Sequence, residues 1–221
     1  MTIPLIVVGA GGFGREVLDV VEAMNTATVT PVYAVLGVID SGPSEVNLKR
    51  LSNRGYRYLG TEAEWLPTSH REEFVVGVGS PVVRRAIAER FASHGLGAAT
   101  LIHPSTGIGS ASSVGVGSVL CAGVQVSTNV HLGEHVHINA NATVGHDSRV
   151  AEFASVNPGA IVSGEVIVGA GSLIGAGSVV LQGLVLGAGA IVGAAACVVR
   201  DVSRGDTVVG VPARVLIARK N

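Results

Sequence analysis

Val168-Gly169-Ala170-Gly171-Ser172-Leu173-Ile174-Gly175-Ala176-Gly177-Ser178-Val179-Val180 repeats with a period of six: an aliphatic residue, often a glycine after it, and a small residue four places on. The aliphatic series continues without insertion in both directions, from Ile108, Val114 and Leu120 to Val192 and Val198, sixteen positions in one phase. The second column holds Ser112, Ser118, Val124, Ala142, Ser148, Ala154 and Ser178, with Leu184 its bulky exception. A period of six fits neither a helix nor a pleated strand, so it describes a coil that turns a corner every six residues. Three hexapeptides make one triangular coil, with the aliphatic residue pointing in and the small residue fitted to the tight interior. Sixteen hexapeptides give about five coils, stacked roughly 4.8 Å apart to a height on the order of 25 Å. The tail from Ser203, with Gly205, Gly210 and Pro212, leaves the repeat and is expected to cap the last coil.

The remaining composition narrows the function classes. Charge is balanced, 15 basic against 16 acidic residues, with no basic stripe for nucleic acid and no acidic tract for disorder. Two cysteines, Cys121 and Cys197, form no disulfide framework and suit a reducing cytoplasm. The 34 residues from Val166 to Val199 carry no charge, and hydropathy alone would make them a membrane hairpin. The hexapeptide phase enters and leaves this stretch in register, so no membrane insertion is expected. Ile3 to Val8 lacks a basic flank and a cleavage site and reads as a first strand, not a signal peptide.

Seven of the eight aromatic residues precede His103-Pro104, and only Phe153 follows. The chain therefore divides into a domain over 1–103 and a solenoid over 104–221. In the first domain, strand signals at Ile3 to Val8, Tyr33 to Ile39 and Phe74 to Val78 alternate with helical spacing at Phe13 to Met24 and Pro81 to Ser93. That alternation predicts a small Rossmann-like parallel sheet. Residues 41–57 read as a surface loop. The expected fold is thus a small α/β N-terminal sheet followed by an all-β left-handed parallel β-helix.

The repeat resembles that of hexapeptide acyltransferases. The opening Val7-Val8-Gly9-Ala10-Gly11-Gly12-Phe13-Gly14-Arg15-Glu16-Val17, the segment Leu101-Ile102-His103-Pro104-Ser105, the pair His146-Asp147 and the ending Val209-Gly210-Val211-Pro212-Ala213-Arg214 together resemble the NeuD/PglD-type sugar acyltransferases, in the same order along nearly the whole chain. The resemblance implies a homotrimer in glycan biosynthesis that binds acetyl-CoA between neighbouring β-helices and a nucleotide-linked amino sugar near the first domain. It implies acetyl transfer to the sugar amine or, in some members, to a hydroxyl.

Gly9, Gly11, Gly12, Phe13 and Gly14 fit a glycine-rich turn between strand and helix, which lets backbone N–H groups approach a phosphate. Read alone, the turn suggests a dinucleotide site with Asp40 on the ribose. A half-sized sheet argues against that, and the resemblance implies a nucleotide-sugar site touched by Asp40. A tight turn packing without ligand is the plain alternative. His146, third in its hexapeptide, lies at an outward corner, where a neutral imidazole suits a general base. Asp147 can orient it and stabilise the imidazolium. Residues eighteen apart stack, which puts Gly164 over His146, either as an N–H donor to the thioester oxygen or as a turn requiring positive φ. Asn139 and Asn157 stack likewise, as an amide ladder or with Asn139 at the sugar. Ser155 departs from the family, where many members carry a histidine at the pantetheine arm. His131, His135 and His137 fall on different sides of a corner, so packing is expected there and no metal. The resemblance places the adenine end of CoA near Gly193 and Arg214, with Lys220 a further phosphate partner. Rivals are O-acetylation of a sugar or sialic acid hydroxyl, a non-catalytic nucleotide-sugar-binding solenoid, and an NAD-dependent enzyme.

Overall fold

The computed structural model describes residues 2–68 and 71–216, so Lys220 lies outside the described residues. The chain divides into two compact units, Met1–Pro104 and Ser105–Asn221.

In the first unit, β1 (Ile3–Val8) is paired in parallel on both sides, with β2 (Tyr33–Ile39) and with β3 (Glu73–Val76). The last four residues of β1 are buried, as a strand covered on both faces requires. Helix α1 (Gly12–Thr26) buries Val17, Leu18, Val20 and Val21 on one face. Its entry depends on Gly14, where a Cβ would overlap the carbonyl oxygen of Gly9. Strand β3 stops two residues short of the expected Val78, and the Gly77 N–H to the Val8 carbonyl is its last ladder hydrogen bond.

Residues 41–57 are not wholly loop. Helix α2 (Glu45–Ser52) starts at Ser44, whose hydroxyl accepts from the Asn47 N–H, with Glu45 in its first turn and Lys49 and Arg50 in its last. Capping and charge complementarity to the helix dipole support it locally. Only Leu51 is buried, so it lacks the apolar stripe that sequence periodicity detects. A short helix α3 (Glu62–Trp65) follows with a capping box from Thr61 and Glu64. Helix α4 (Pro81–Ser93) begins with Pro81 after the Ser80 cap, and its Phe91 packs on Phe74 and Trp65.

The second unit is a parallel β-solenoid. Sixteen two-residue strands run from Gly107–Ile108 to Cys197–Val198, each ending on the aliphatic residue of its hexapeptide. Residues eighteen apart pair in parallel on three faces: His137 with Ser155, Thr143 with Ile161, Arg149 with Ile167. Val144, Val156, Val162, Val168, Ile174 and Val180 are fully buried, each contributing about 1.5–3 kcal/mol by removal from water. The small column does more than fit. Ser118 Oγ donates to the Gly133 carbonyl and accepts from the Val136 N–H, both at 3.0 Å, and Ser148 repeats the arrangement with Ser163 and Val166. These hydroxyls satisfy corner backbone groups that the coil buries.

The fourth residue of a hexapeptide takes the left-handed conformation at corner after corner, including Asn129, His135, Asn141, Asp147 and Glu165. Beyond the repeat, Thr207–Val209 pairs with Ile191–Val192 and adds a turn the hexad count omits; Arg214–Val215 then folds back antiparallel as the cap. Cys121 is buried and Cys197 half-buried, and the two form no disulfide. Among the described residues no helix is long and apolar enough to cross a membrane.

Candidate active site

The chain leaves the strand Thr143–Val144 at Gly145 and turns at His146 and Asp147. Val144 anchors the coil inside, while the His146 side chain stands outside, 57 % exposed. Its Nδ1 lies 2.6 Å from Asp147 Oδ2. A carboxylate only accepts, so Nδ1 carries the proton and Nε2 of the neutral ring is the acceptor. Asp147 is presented by its left-handed backbone, φ 61°, a conformation that Asp tolerates better than most residues.

A third residue completes this arrangement. Asn129, at the same corner one coil earlier, donates from Nδ2 to Asp147 Oδ1 at 2.6 Å. With Oδ1 held by Asn129, Oδ2 faces the imidazole. The Asn129 hydrogen bond, followed by that of His146, holds the Asp147 carboxyl below the ordinary carboxylate range. Sequence reading missed Asn129, although the eighteen-residue stacking rule that put Gly164 over His146 also puts Asn129 under Asp147.

Asn129→Gly deletes the amide without straining a left-handed position. The Asp147 titration, followed by carboxyl carbon NMR, is expected to move up toward the ordinary range; an unmoved midpoint would refute the coupling. The sign follows from the depressed folded pKa. Whatever stabilisation the interaction provides is present at neutral pH and is lost as pH falls through that lowered value.

Gly164 lies over the ring. A Cβ there would stand 2.5 Å from His146 Nε2 and 2.6 Å from Cε1. The left-handed residue of that corner is Glu165, φ 61°, not Gly164. What a side chain at 164 would meet is thus the imidazole, and of the two readings of this position the positive-φ turn is the one the backbone does not bear out. Asn139, one hexapeptide before His146, donates from Nδ2 to Asn157 Oδ1 at 3.0 Å, so the amide ladder is present. Asn139 is 8 % exposed, and its Oδ1 is buried with no hydrogen-bond partner among the described residues.

Ser155 is buried and paired across the sheet with His137. The three clustered histidines separate: His131 Nδ1 lies 3.0 Å from Ser113 Oγ, and His135 stacks on Phe153 with ring centroids 4.9 Å apart. Among the described residues no group of three or more His, Cys, Asp or Glu is arranged to hold a metal. Gly193 packs under Val209, whose Cγ1 would lie 2.8 Å from an added Cβ. Exposed Arg214 lines a cavity of about 180 Å³ with Arg200 and Asp201, and Gly193 is not part of it.

In the first unit a larger cavity, about 490 Å³, opens beside the glycine turn. Gly9 and Asp40 line it; Gly11, Gly12, Phe13 and Gly14 do not. Asp40 clamps the turn, accepting from the Ala10 N–H at 2.7 Å and from the Gly42 N–H at 2.9 Å. Gly11 and Gly12 face open space at the start of α1, and Gly11 supplies no side-chain cap. Arg15 ties the turn to α2 through the Ala10 carbonyl and Asn47.

Residues 4–91 match the family model of the PglD N-terminal domain. The acetyltransferase domain of PglB from Neisseria gonorrhoeae is 31 % identical, with 96 % of this chain and 99 % of that one covered and a TM-score of 0.83. A mutant of perosamine N-acetyltransferase from Caulobacter crescentus, solved with CoA and GDP-perosamine, is 26 % identical over 97 % of each chain, TM-score 0.86. WeeI from Acinetobacter baumannii is 28 % identical over 97 % of this chain and 100 % of its own, TM-score 0.83. No curated protein matches the chain in sequence.

Proposed function

The chain belongs to the NeuD/PglD-type sugar acyltransferases, and from that premise we propose that it moves an acetyl group from acetyl-CoA to the amine of a nucleotide-linked amino-dideoxy sugar of the UDP-4-amino-sugar type. The observation that carries the reading is the His146–Asp147 contact of 2.6 Å with Nε2 left as acceptor. Relatives described as acetyltransferases, with acetyl coenzyme A or with CoA and GDP-perosamine bound, support the two substrates.

The acceptor nitrogen attacks the thioester carbonyl carbon with its lone pair. His146 Nε2 takes the proton that the nitrogen must shed, and Asp147 stabilises the resulting imidazolium. The tetrahedral oxyanion collapses to the amide and expels the CoA thiolate, which takes up the proton held by the imidazolium. No acyl-enzyme forms in this scheme. The histidine contributes roughly 10²–10⁴-fold as a base, and holding two substrates in line supplies much of the rest.

Gly9, Gly11, Gly12, Phe13, Gly14 and Asp40 take the nucleotide. Asn139 lies near the sugar. Ser155 and Gly164 lie along the pantetheine and thioester, with Gly193 and Arg214 toward the adenine end. A homotrimer gives the exposed His146 corner a second wall, and the two substrates suit a cytoplasmic enzyme.

The test is thiol release from acetyl-CoA with a panel of nucleotide amino sugars, together with the mass and position of the added acetyl group. N-acetylation of an amino sugar is expected. Acetylation of sialic acid or sugar hydroxyls alone would replace this reading with O-acetyl transfer. No thiol release with any acceptor would leave a binding solenoid.

A further inference from the structure

Two arginines of helix α4 meet different surroundings. Arg90 is half-exposed and pairs with the buried carboxylate of Glu62 at the start of α3. Arg84 is wholly buried, the largest such side chain among the described residues. Its Nη1 donates to the Val78 carbonyl at 3.0 Å and to the Gly79 carbonyl at 3.2 Å. Burial pushes its pKa down to about 9, because the cation gives up hydration to stand there. Arg84 also lies in the first turn of α4, after the Ser80 cap and Pro81, where the helix dipole disfavours a positive charge. Replacing a buried ionic group by an apolar one of similar volume is often neutral or stabilising. Stability alone therefore does not account for a cation here.

What the cation holds is the turn between β3 and α4. Gly77, just before the two carbonyls, packs against the glycine turn. A Cβ on Gly77 would stand 2.6 Å from Gly14 Cα, and one on Gly9 would stand 2.7 Å from the Gly77 carbonyl oxygen. Val8, Gly9 and Val78 line the cavity, and Arg84 is not among its lining residues. Asp40 grips the glycine turn at another point, through the Ala10 N–H. We propose that Arg84 is a positioning residue for the nucleotide: by gripping the Val78 and Gly79 carbonyls it keeps Gly77 seated on Gly9 and Gly14, and so holds the glycine turn in the shape that binds. The inference rests on the nucleotide-sugar reading and adds a residue that sets affinity without touching the ligand. Without the guanidinium the two carbonyls must find other donors, and part of the binding free energy goes into restoring the turn.

The full chain and its Arg84→Met variant are compared by calorimetry with UDP, dTDP and GDP, and by initial rates with a nucleotide amino sugar and acetyl-CoA varied in turn. For whichever nucleotide the parent binds, Kd is expected to rise about tenfold in Arg84→Met, the low end for hydrogen bonds to a charged group. The KM for the nucleotide sugar rises with it. Both kcat and the acetyl-CoA KM are expected to stay within about twofold, since a uniform loss of ground-state binding leaves turnover alone. Arg84→Lys, which keeps a cation with rotatable donors, is expected to recover affinity to within about threefold of the parent. A packing role alone predicts the opposite order, with the apolar methionine binding nucleotide at least as well as lysine. If Arg84→Met fails to fold, Arg84→Gln takes its place with the same expected loss. Unchanged nucleotide affinity in the neutral variant, or a loss shared by the acetyl-CoA KM, overturns the assignment of Arg84 and leaves the nucleotide-sugar reading standing. Failure of the parent to bind any of the three nucleotides overturns both.

Discussion

His146→Ala is expected to lower kcat/KM for acetyl transfer by roughly 10²–10⁴-fold while changing stability by no more than about 0.5 kcal/mol. The separation follows from location. The His146 side chain is outside the coil, and its ring nitrogens hold no core group in place. What it supplies is the Nε2 lone pair, which alanine cannot replace. Asp147→Asn is expected to give a smaller loss. Asparagine keeps the left-handed corner at little cost, whereas alanine there would add about 1–2 kcal/mol of backbone strain. The amide oxygen can still accept from Nδ1, but the charge that stabilises the imidazolium is gone. Because Asp147 is held below the ordinary carboxylate range, its protonation should not contribute to any loss of rate in mildly acidic buffer. Initial rates of thiol release beside a denaturant melt check all of this. Full turnover in His146→Ala would remove the histidine from the mechanism.

The solenoid was legible because a rigid period assigns every residue a face. Ile174 or Val156 is inward by arithmetic alone, and the same arithmetic put Gly164 over His146. Asn129 carries no such signal by itself: an asparagine at a left-handed corner has a sufficient conformational reason to be there, as Asn141 does. Helix α2 was hidden for the opposite reason. It buries Leu51 alone, and caps and end charges leave no periodic trace. The Glu62–Arg90 couple lay further out of reach, since it joins a four-residue helix to a distant one across a cavity that only the tertiary fold defines.

Gly164→Ala tests the site through the residue that packs over the imidazole. The added Cβ would sit 2.5 Å from Nε2, inside the contact distance of roughly 3.5 Å for heavy atoms. Backbone N–H and C=O bonds on both sides, Glu165 to His146 at 2.8 Å and Gly183 to Gly164 at 3.0 Å, hold the coil in place. The exposed ring is therefore the part that yields, by about 1 Å. Displacement on that scale costs as much as 10²-fold in rate, without removing a titratable group. Gly164→Ala should thus fall toward the rate of His146→Ala while binding the nucleotide nearly as well as the parent. Loss of stability should stay near 1 kcal/mol, the range for a forced off-rotamer side chain. Unaltered turnover would mean that the ring has a second productive position, and that the close packing on glycine is not what aims the base.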